Sequence, residues 1–406
     1  MNSFFASVEQ QEQPHLRNAP VIVAPMITNT TCAISASYQA RAYGIKTGTS
    51  VADAKVLCPG VRIVAARPRL YVQYNRAIVE LLHHFFVEIE ELSVDEMACH
   101  LPPSKKNIQA AVNLANQVKA LIKKKLGEAL RCSIGIAPNI FLAKVASDFQ
   151  KPDGLTLFVD DYTPKLFSLS LTDLPGIAKR NEQRLRSCGI YTVKDLWEAD
   201  FSKLRMIWGG TVGERWHYML RGNLQIDYSQ GTIGETKKSV SQSHVLPPQF
   251  RTLSGSQDML LRLAAKALRR LRSYNQAPKA VYARISFRHK ESWGKKLAWE
   301  MARSYPIAAN DDLCWLPMIH QCASTIVPNE EYRPVKVSVC FSDLYSTTIQ
   351  QSSFLEDRTK YFKLFQAIDR IKSKLGAEVN VAQIFHLSKE APFRISFGGV
   401  VKDKLD

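Results

Sequence analysis

Between Val87 and Ala98 the chain alternates apolar and acidic residues, then places two carboxylates side by side in the run Ser93-Val94-Asp95-Glu96-Met97. Alternation of this kind predicts a strand hairpin with one buried face. Adjacent carboxylates beside a buried strand repel each other and lose hydration, so a fold that keeps both ionised must set cations against them. Taken alone, an Asp-Glu pair is more often a solvated surface turn. The rest of the chain has to decide between the two readings.

Upstream, residues 3–9 are apolar and β-prone before they turn helical, which predicts a strand already under way at residue 1. Residues 20–24 and 32–35 predict two short strands around a polar turn, followed by a helical stretch with Tyr38 and Arg41 one turn apart and Gly44 at its end. Helical periodicity returns over 70–86, 107–126 and 141–149, with a buried strand at 132–137 and a stop at Pro152 and Gly154. The order βα–ββ–αβ is that of a ferredoxin-like α+β unit. Beyond Pro164 the pattern is helical, with Leu174-Pro175-Gly176-Ile177 joining two helices; residues 222–243 are polar and Gly-rich and predict a linker. A helix at 259–272, strands at 280–287 and 335–341, a helix at 360–375 and a last strand at 393–397 predict a second α+β unit.

With 406 residues the chain has room for several domains, each able to bury its own core. Its eight cysteines show no C-x-x-C spacing, so they predict reduced core thiols in a cytoplasmic protein rather than a zinc site or redox motif. No apolar run approaches the roughly 20 residues that span a bilayer. The formal charge of +17 favours a polyanionic partner through counterion release, nucleic acid first among them, although a solvated basic surface gives the same sum.

Four segments surround the carboxylate pair: Phe4-Phe5-Ala6-Ser7-Val8-Glu9, Ser35-x-x-Tyr38-x-x-Arg41, Ser93-Val94-Asp95-Glu96, and Phe141-Leu142-Ala143-Lys144-x-x-Ser147-Asp148-x-x-Lys151-Pro152-Asp153-Gly154. Together they resemble the Y-family translesion DNA polymerases of the DinB/UmuC group, closely through the first 240 residues and more weakly to the end. The resemblance implies an α+β multidomain right-hand polymerase. Its palm would take residues 1–10 and 67–160, small fingers 11–66, a helical thumb with a helix-hairpin-helix 161–230, a linker 231–243 and an α+β little finger 244–400. It implies template-directed DNA synthesis past damaged bases, with primed template DNA, deoxynucleoside triphosphates and two Mg²⁺ ions, by a monomer.

Position by position, the resemblance makes Asp95 and Glu96 the second and third metal-site carboxylates, Asp95 bridging both ions, with the backbone carbonyl of Met1 as a further ligand. Phe5, beside Phe4, becomes the steric gate under the sugar C2′. Ser35, Tyr38, Arg41 and Lys151 become the grip on the incoming triphosphate; hydroxyls there give single hydrogen bonds and the two cations take charge moving toward pyrophosphate. Lys144 and Asp148 match a surrounding motif and carry no assigned chemistry. Core packing alone would also account for Phe5, Tyr38 and Phe141. The family's first metal-binding aspartate would fall immediately before Met1, at the end of a central strand, and Asn2, Ser3 and Glu9 offer no competent replacement. Three readings follow: an enzyme whose strand and aspartate precede Met1, an impaired relative that acts as a DNA-binding accessory protein, or a nucleic-acid-binding protein of another class whose motifs coincide by chance.

Two further segments suit DNA. The loop Gly176-Ile177-Ala178, with alanine where a second glycine is usual, would bind a backbone phosphate through its amides; an ordinary helical turn is the equal alternative. On the helix at 259–272 the apolar stripe leaves Arg262, Lys266 and Arg269 on the other face, which with Lys237, Lys238, Arg284 and Arg288 would lie along the duplex backbone, unless that face is simply solvated. A sliding clamp is a common partner in the family, yet residues 400–406 are charged and carry no short hydrophobic-plus-Gln docking peptide.

Overall fold

The computed structural model describes residues 1–223, 238–347 and 359–375, apart from Thr30, Pro103, Lys105, Lys106, Trp293 and Pro328. They fall into two compact units, one within Met1–Ile233 and one within Gly234–Phe393. Among them no helix is long and apolar enough to cross a membrane. All eight cysteines are free thiols.

The first unit opens with helix α1 (Phe4–Glu12), not with a strand. Ser3 takes a left-handed turn at φ 45° and the helix follows, with every residue from Phe4 to Gln10 buried. A segment enclosed on all sides has no polar face to set a period, so its β-prone composition misleads. The chain then runs through β1 (Val21–Ala24), β2 (Ser35–Ala36), α2 (Tyr38–Arg41), α3 (Val51–Leu57) and β3 (Arg62–Ala65). These form a three-stranded sheet ordered β2-β1-β3 around a small core that includes Ile22, Ala36, Ile45 and Val51.

Helix α4 (Pro68–His83), the hairpin β4 (Ile89–Glu91) and β5 (Met97–Cys99), and α5 (Ile108–Leu126) build the next layer. On α5 the residues Ala111, Leu114, Ala115, Val118 and Ile122 make one buried stripe, each fully buried large side chain stabilising by about 1.5–3 kcal/mol. Asn107 caps the helix by accepting from the amides of Gln109 and Ala110. Strand β6 (Ile134–Ile136), helix α6 (Ile140–Phe149) and β7 (Leu155–Leu157) follow, β6 and β7 pairing in parallel. A Cβ on Gly135 would sit 2.0 Å from the Ala143 carbonyl oxygen, so only glycine lets β6 pack this closely on α6.

The hairpin and the β6–β7 pair are separate two-stranded ladders on either side of a cavity of about 960 Å³, rather than one continuous ferredoxin-like sheet. Glu88, Glu90 and Leu92 bond across the hairpin to His100, Ala98 and Glu96, which turns the backbone groups of Met97 and Cys99 toward the cavity. Gly135 faces it from β6, whose neighbours Ile134 and Ile136 bond to the β7 segment.

Helices α7 (Thr163–Phe167), α8 (Lys179–Ser187), α9 (Val193–Glu198), α10 (Phe201–Trp208) and α11 (Thr211–Leu220) complete the unit. Their core also takes Phe141, Leu142, Val145 and Ala146 from α6. Phe141 meets Trp216 edge to face at 5.4 Å.

The second unit is a four-stranded antiparallel sheet ordered β10-β9-β11-β8, from β8 (Ser239–Val245), β9 (Gln276–His289), β10 (Lys296–Ser304) and β11 (Tyr332–Ser346). Strand β8 begins inside the stretch expected to be linker, because Val240 and His244 alternate inward against β11. Helices α12 (Leu253–Ser273), α13 (Asp312–Ser324) and α14 (Thr359–Leu375) carry the rest. The core joins Leu260, Leu263, Ala267 and Leu271 of α12 to Val281, Ile285, Val339 and Phe341 of the sheet.

Candidate active site

Asp95 and Glu96 sit where β4 turns into β5, at the mouth of the cavity. The turn is pinned from below: Asn75 of α4, 1 % exposed, donates through Nδ2 to the Val94 carbonyl at 2.9 Å, and the Ser93 hydroxyl donates to Asp95 Oδ1 at 3.0 Å. The cation that the pair requires comes from α6. Lys144 Nζ bonds Glu96 Oε1 and stands 3.2 Å from Asp148, its i+4 neighbour, while Lys151 reaches the same Asp148 at 2.5 Å. Burial alone would lower Lys144, but Glu96 and Asp148 push its ammonium above the ordinary value. Burial would likewise raise Asp148, yet Lys144 and Lys151 hold its carboxyl below the usual range.

The first residues close the same corner. The amino group of Met1 donates to the Asp95 carbonyl at 2.6 Å, and Asn2 bonds Ser133 at 3.1 Å and accepts from the Asp153 amide at 3.0 Å. Glu9 stays out of the site: it is fully buried and bound to Arg67 and Tyr71. Met1, Asn2, Asp95, Glu96, Lys144 and Lys151 all line the cavity.

Phe4, Phe5, Ser35, Tyr38 and Arg41 lie outside its walls, on α1, β2 and α2, with Phe4, Phe5 and Ser35 buried. The Ser35 hydroxyl accepts from the Ala6 amide at 3.3 Å, which fixes β2 against α1 and leaves its own proton for another acceptor. Tyr38 is raised by burial against the opposing pull of Arg41, whose guanidinium lies 5.5 Å from the ring; it also bonds Asn2 and feels Asp148. The expected triphosphate grip is therefore continuous in space with the carboxylate corner. Phe5 is 5 % exposed and packs on Tyr71.

Sequence reasoning quoted Lys144 and Asp148 without giving them work. Their i, i+4 spacing, with Lys151 three residues on, was the signal for a cation facing an acidic pair.

In the helical region Gly176 adopts φ +95°, and Ala178 stands at the N-cap of α8 in extended backbone, which alanine adopts without strain. No side chain caps α8, so its first amides remain available to an anion. Ahead of the loop lies a 3-10 turn (Leu171–Asp173) opened by a Ser170–Asp173 capping box, not a second α-helix, since Pro175 biases Leu174 to extended backbone and stops the helix.

The second unit corrects the α12 expectation. Arg262 is 8 % exposed and bonded to Asp258 at 2.6 Å, and Arg269 lies 3.9 Å from Asp369 of α14, so these charges serve helix packing rather than an open basic stripe. Lys266 is half-buried on the same helix. The opposite face of the sheet carries Tyr282, Arg284 and Arg288 of β9 and Lys336 of β11, with Ser338 opposite Arg284 in register. Arg284 pairs with Glu300 at 2.9 Å. Lys336 and Lys296 were missed by sequence reasoning; period-two alternation along the strands would have placed both outward. Lys238 is exposed just before β8, and Lys237 lies outside the described residues.

The comparisons with known proteins agree with this layout. Residues 1–148 match the impB/mucB/samB family, 237–354 its C-terminal domain, and 172–223 the DNA polymerase-iota thumb domain. A DNA polymerase IV from Pelotomaculum thermopropionicum is 30% identical over 383 residues, covering 93% of this chain and 91% of that one. A DNA polymerase IV from Moorella thermoacetica is 32% identical over 387 residues, covering 93% and 92%. A solved Y-family DNA polymerase chimera, Dbh-Dpo4(243-245)-Dbh, shares the fold with a TM-score of 0.70 at 21% identity, over 85% of this chain and 97% of its own. The matched stretches and the shared fold point to one family, and the chain belongs to the DinB-like Y-family of translesion DNA polymerases.

Proposed function

We propose that the chain extends a primed DNA template with deoxynucleoside triphosphates, past damaged bases, by two-metal nucleotidyl transfer. The observation that carries this reading is the corner where Asp95 and Glu96 meet Lys144, Asp148 and Lys151. Among the described residues no three His, Cys, Asp or Glu side chains converge as a metal cage. Two adjacent hard carboxylates suit Mg²⁺ shared between protein and substrate phosphates, the way this ion is commonly held. Asp95 and Glu96 would hold it, with the Met1 carbonyl beside them; bound there, divalent ions lower the pKa of the primer hydroxyl and neutralise charge on the leaving group.

The chain's own residues do the remaining work. Arg41 and Lys151 meet the triphosphate with positive charge, and Ser35 and Tyr38 donate single hydrogen bonds that orient it. Phe5 serves as the steric gate, its ring excluding a ribose 2′-hydroxyl. The α8 amides behind Gly176 and the open sheet face with Arg284, Arg288 and Lys336 would take backbone phosphates without reading sequence. Primer extension on intact and abasic templates tests the reading, with Asp95→Ala beside the unaltered chain. Synthesis lost in Asp95→Ala while DNA retention persists supports it; equal extension by the two proteins refutes it.

A further inference from the structure

Tyr71 and Asn75 stand four residues apart on α4, and Arg67, the N-cap four residues before Tyr71, extends their line at the head of the helix. Asn75 and Tyr71 each touch a part of the site, and Arg67 is joined to Tyr71 through Glu9. Asn75 holds the Val94 carbonyl next to Asp95. Tyr71, with no exposed surface, packs its ring on Phe5 with centroids 4.6 Å apart and planes inclined at 35°. Its hydroxyl donates to Glu9 Oε1 at 2.7 Å, and Arg67 closes the line by donating to Glu9 Oε2 at 2.5 Å. Glu9 lies one turn beyond Phe5 on α1, so the carboxylate and the ring it helps hold belong to the same helix face.

Building a carboxylate into a site with no solvent contact is costly unless bonds satisfy it. Arg67, Tyr71 and Gln13 together do so. The Phe5 ring cannot move toward α4 without displacing Tyr71 from this network. On the reading that Phe5 is the sugar gate, we infer that Tyr71, held by Glu9 and Arg67, is a positioning residue for nucleotide sugar selection. It sets the gate ring at a fixed height while Asn75 of the same helix fixes the carboxylate turn. The line on α4 thereby registers the sugar end of the nucleotide pocket to its metal end.

Two measurements separate this inference from the polymerase reading. In the first, dissociation constants for rCTP and dCTP are measured on the chain bound to primed DNA, with Ca²⁺ in place of Mg²⁺ to prevent turnover. Phe5→Ala lowers the ratio of the two constants and serves as the reference for the gate. Tyr71→Leu lowers it by about tenfold and Tyr71→Phe by about threefold, mainly through tighter rCTP binding, since small displacements of a positioning group carry large effects. Asn75→Ala weakens both nucleotides alike. A general structural defect in the Tyr71 variants would also weaken both alike, and that unchanged ratio overturns the inference; Tyr71→Phe, which keeps the ring, guards against simple misfolding.

In the second, 3-fluorophenylalanine at position 5 is followed by fluorine NMR without DNA or nucleotide. A clamped ring gives two resonances, which merge into one averaged line in Tyr71→Leu. A spectrum that Tyr71→Leu leaves unchanged overturns the clamp. If Phe5→Ala fails to move the nucleotide ratio, or no nucleotide binds, the gate or polymerase reading fails, and the fluorine spectrum still decides whether Tyr71 holds the ring.

Discussion

Lys144 of α6 and Glu96 of the β4–β5 turn form an ion pair across the carboxylate corner, with Asp148 as the second partner of the same ammonium. A divalent ion approaching Glu96 must compete with that ammonium. Lys144→Met should therefore tighten Mn²⁺ binding in the absence of nucleotide, by about fivefold for roughly 1 kcal/mol of relieved competition. Titration followed by the EPR signal of free Mn²⁺ reads the change; weaker binding would show that Lys144 supports the ion instead.

The pair Asp148–Lys151 gives the first unit a pH response with a definite sign. A carboxyl held below its ordinary value contributes stability that is present above the unfolded pKa, near 4, and is lost as pH falls through the folded value. Lys144, held above its ordinary value, contributes below the unfolded pKa near 10.4 and is lost only at higher pH. Both contributions are whole between about pH 5 and 9. Asp148→Asn should cost about 0.5–1 kcal/mol in that window, an amount discounted for its partial exposure, and should flatten the acid limb. Urea midpoints across pH would show an unaltered acid limb if Asp148 were not the group responsible.

Because the Met1 amino group lies 2.6 Å from the Asp95 carbonyl, any residue joined to that nitrogen enters the site. An apolar strand ending in aspartate, fused ahead of Met1, should raise primer extension at least about 10²-fold over the same fusion ending in asparagine. Equal rates for the two fusions would show that a third carboxylate adds nothing at this position.

Arg272 is the buried charge on which the second unit turns. It reaches Asp312 at 2.8 Å, Asp369 at 2.6 Å and the Asn310 carbonyl at 2.6 Å, and its guanidinium lies 5.2 Å from the Phe365 ring. Arg272→Met strands two carboxylates and should destabilise this unit by about 3–5 kcal/mol. Asp369→Asn should cost less, since Asp312 and Asn310 remain. Hydrogen exchange of the α12 amides provides the measure, and protection unchanged in Arg272→Met would contradict the assignment.

The parts of this fold most legible in the sequence were those with one dry and one wet face. Helix α5 could be read from its periodicity over 107–126, as could the hairpin that presents Asp95 and Glu96. Helix α1 was misread because its buried residues have no polar side to reveal a helical period. The charges of α12 were assigned to DNA because a sequence does not show that Asp258 and Asp369 answer them. Tyr71 escaped notice for a related reason: its partners, Glu9 and Phe5, lie more than sixty residues away, and only the folded chain brings one helix turn of α1 onto one of α4.

Helix α6 belongs to two neighbourhoods at once. Phe141, Leu142, Val145 and Ala146 are enclosed by the helices that follow, while Lys144 and Asp148, on the same ten-residue segment, hold the carboxylate corner. Melting either side removes contacts from the segment on which the other side depends. The corner and the helical region thus share one helix, and loss of either is expected to loosen the other. A fragment cut at residue 161 would leave behind the helix that completes its interior, and strain at Trp216 would be felt as misplaced charge beside Glu96.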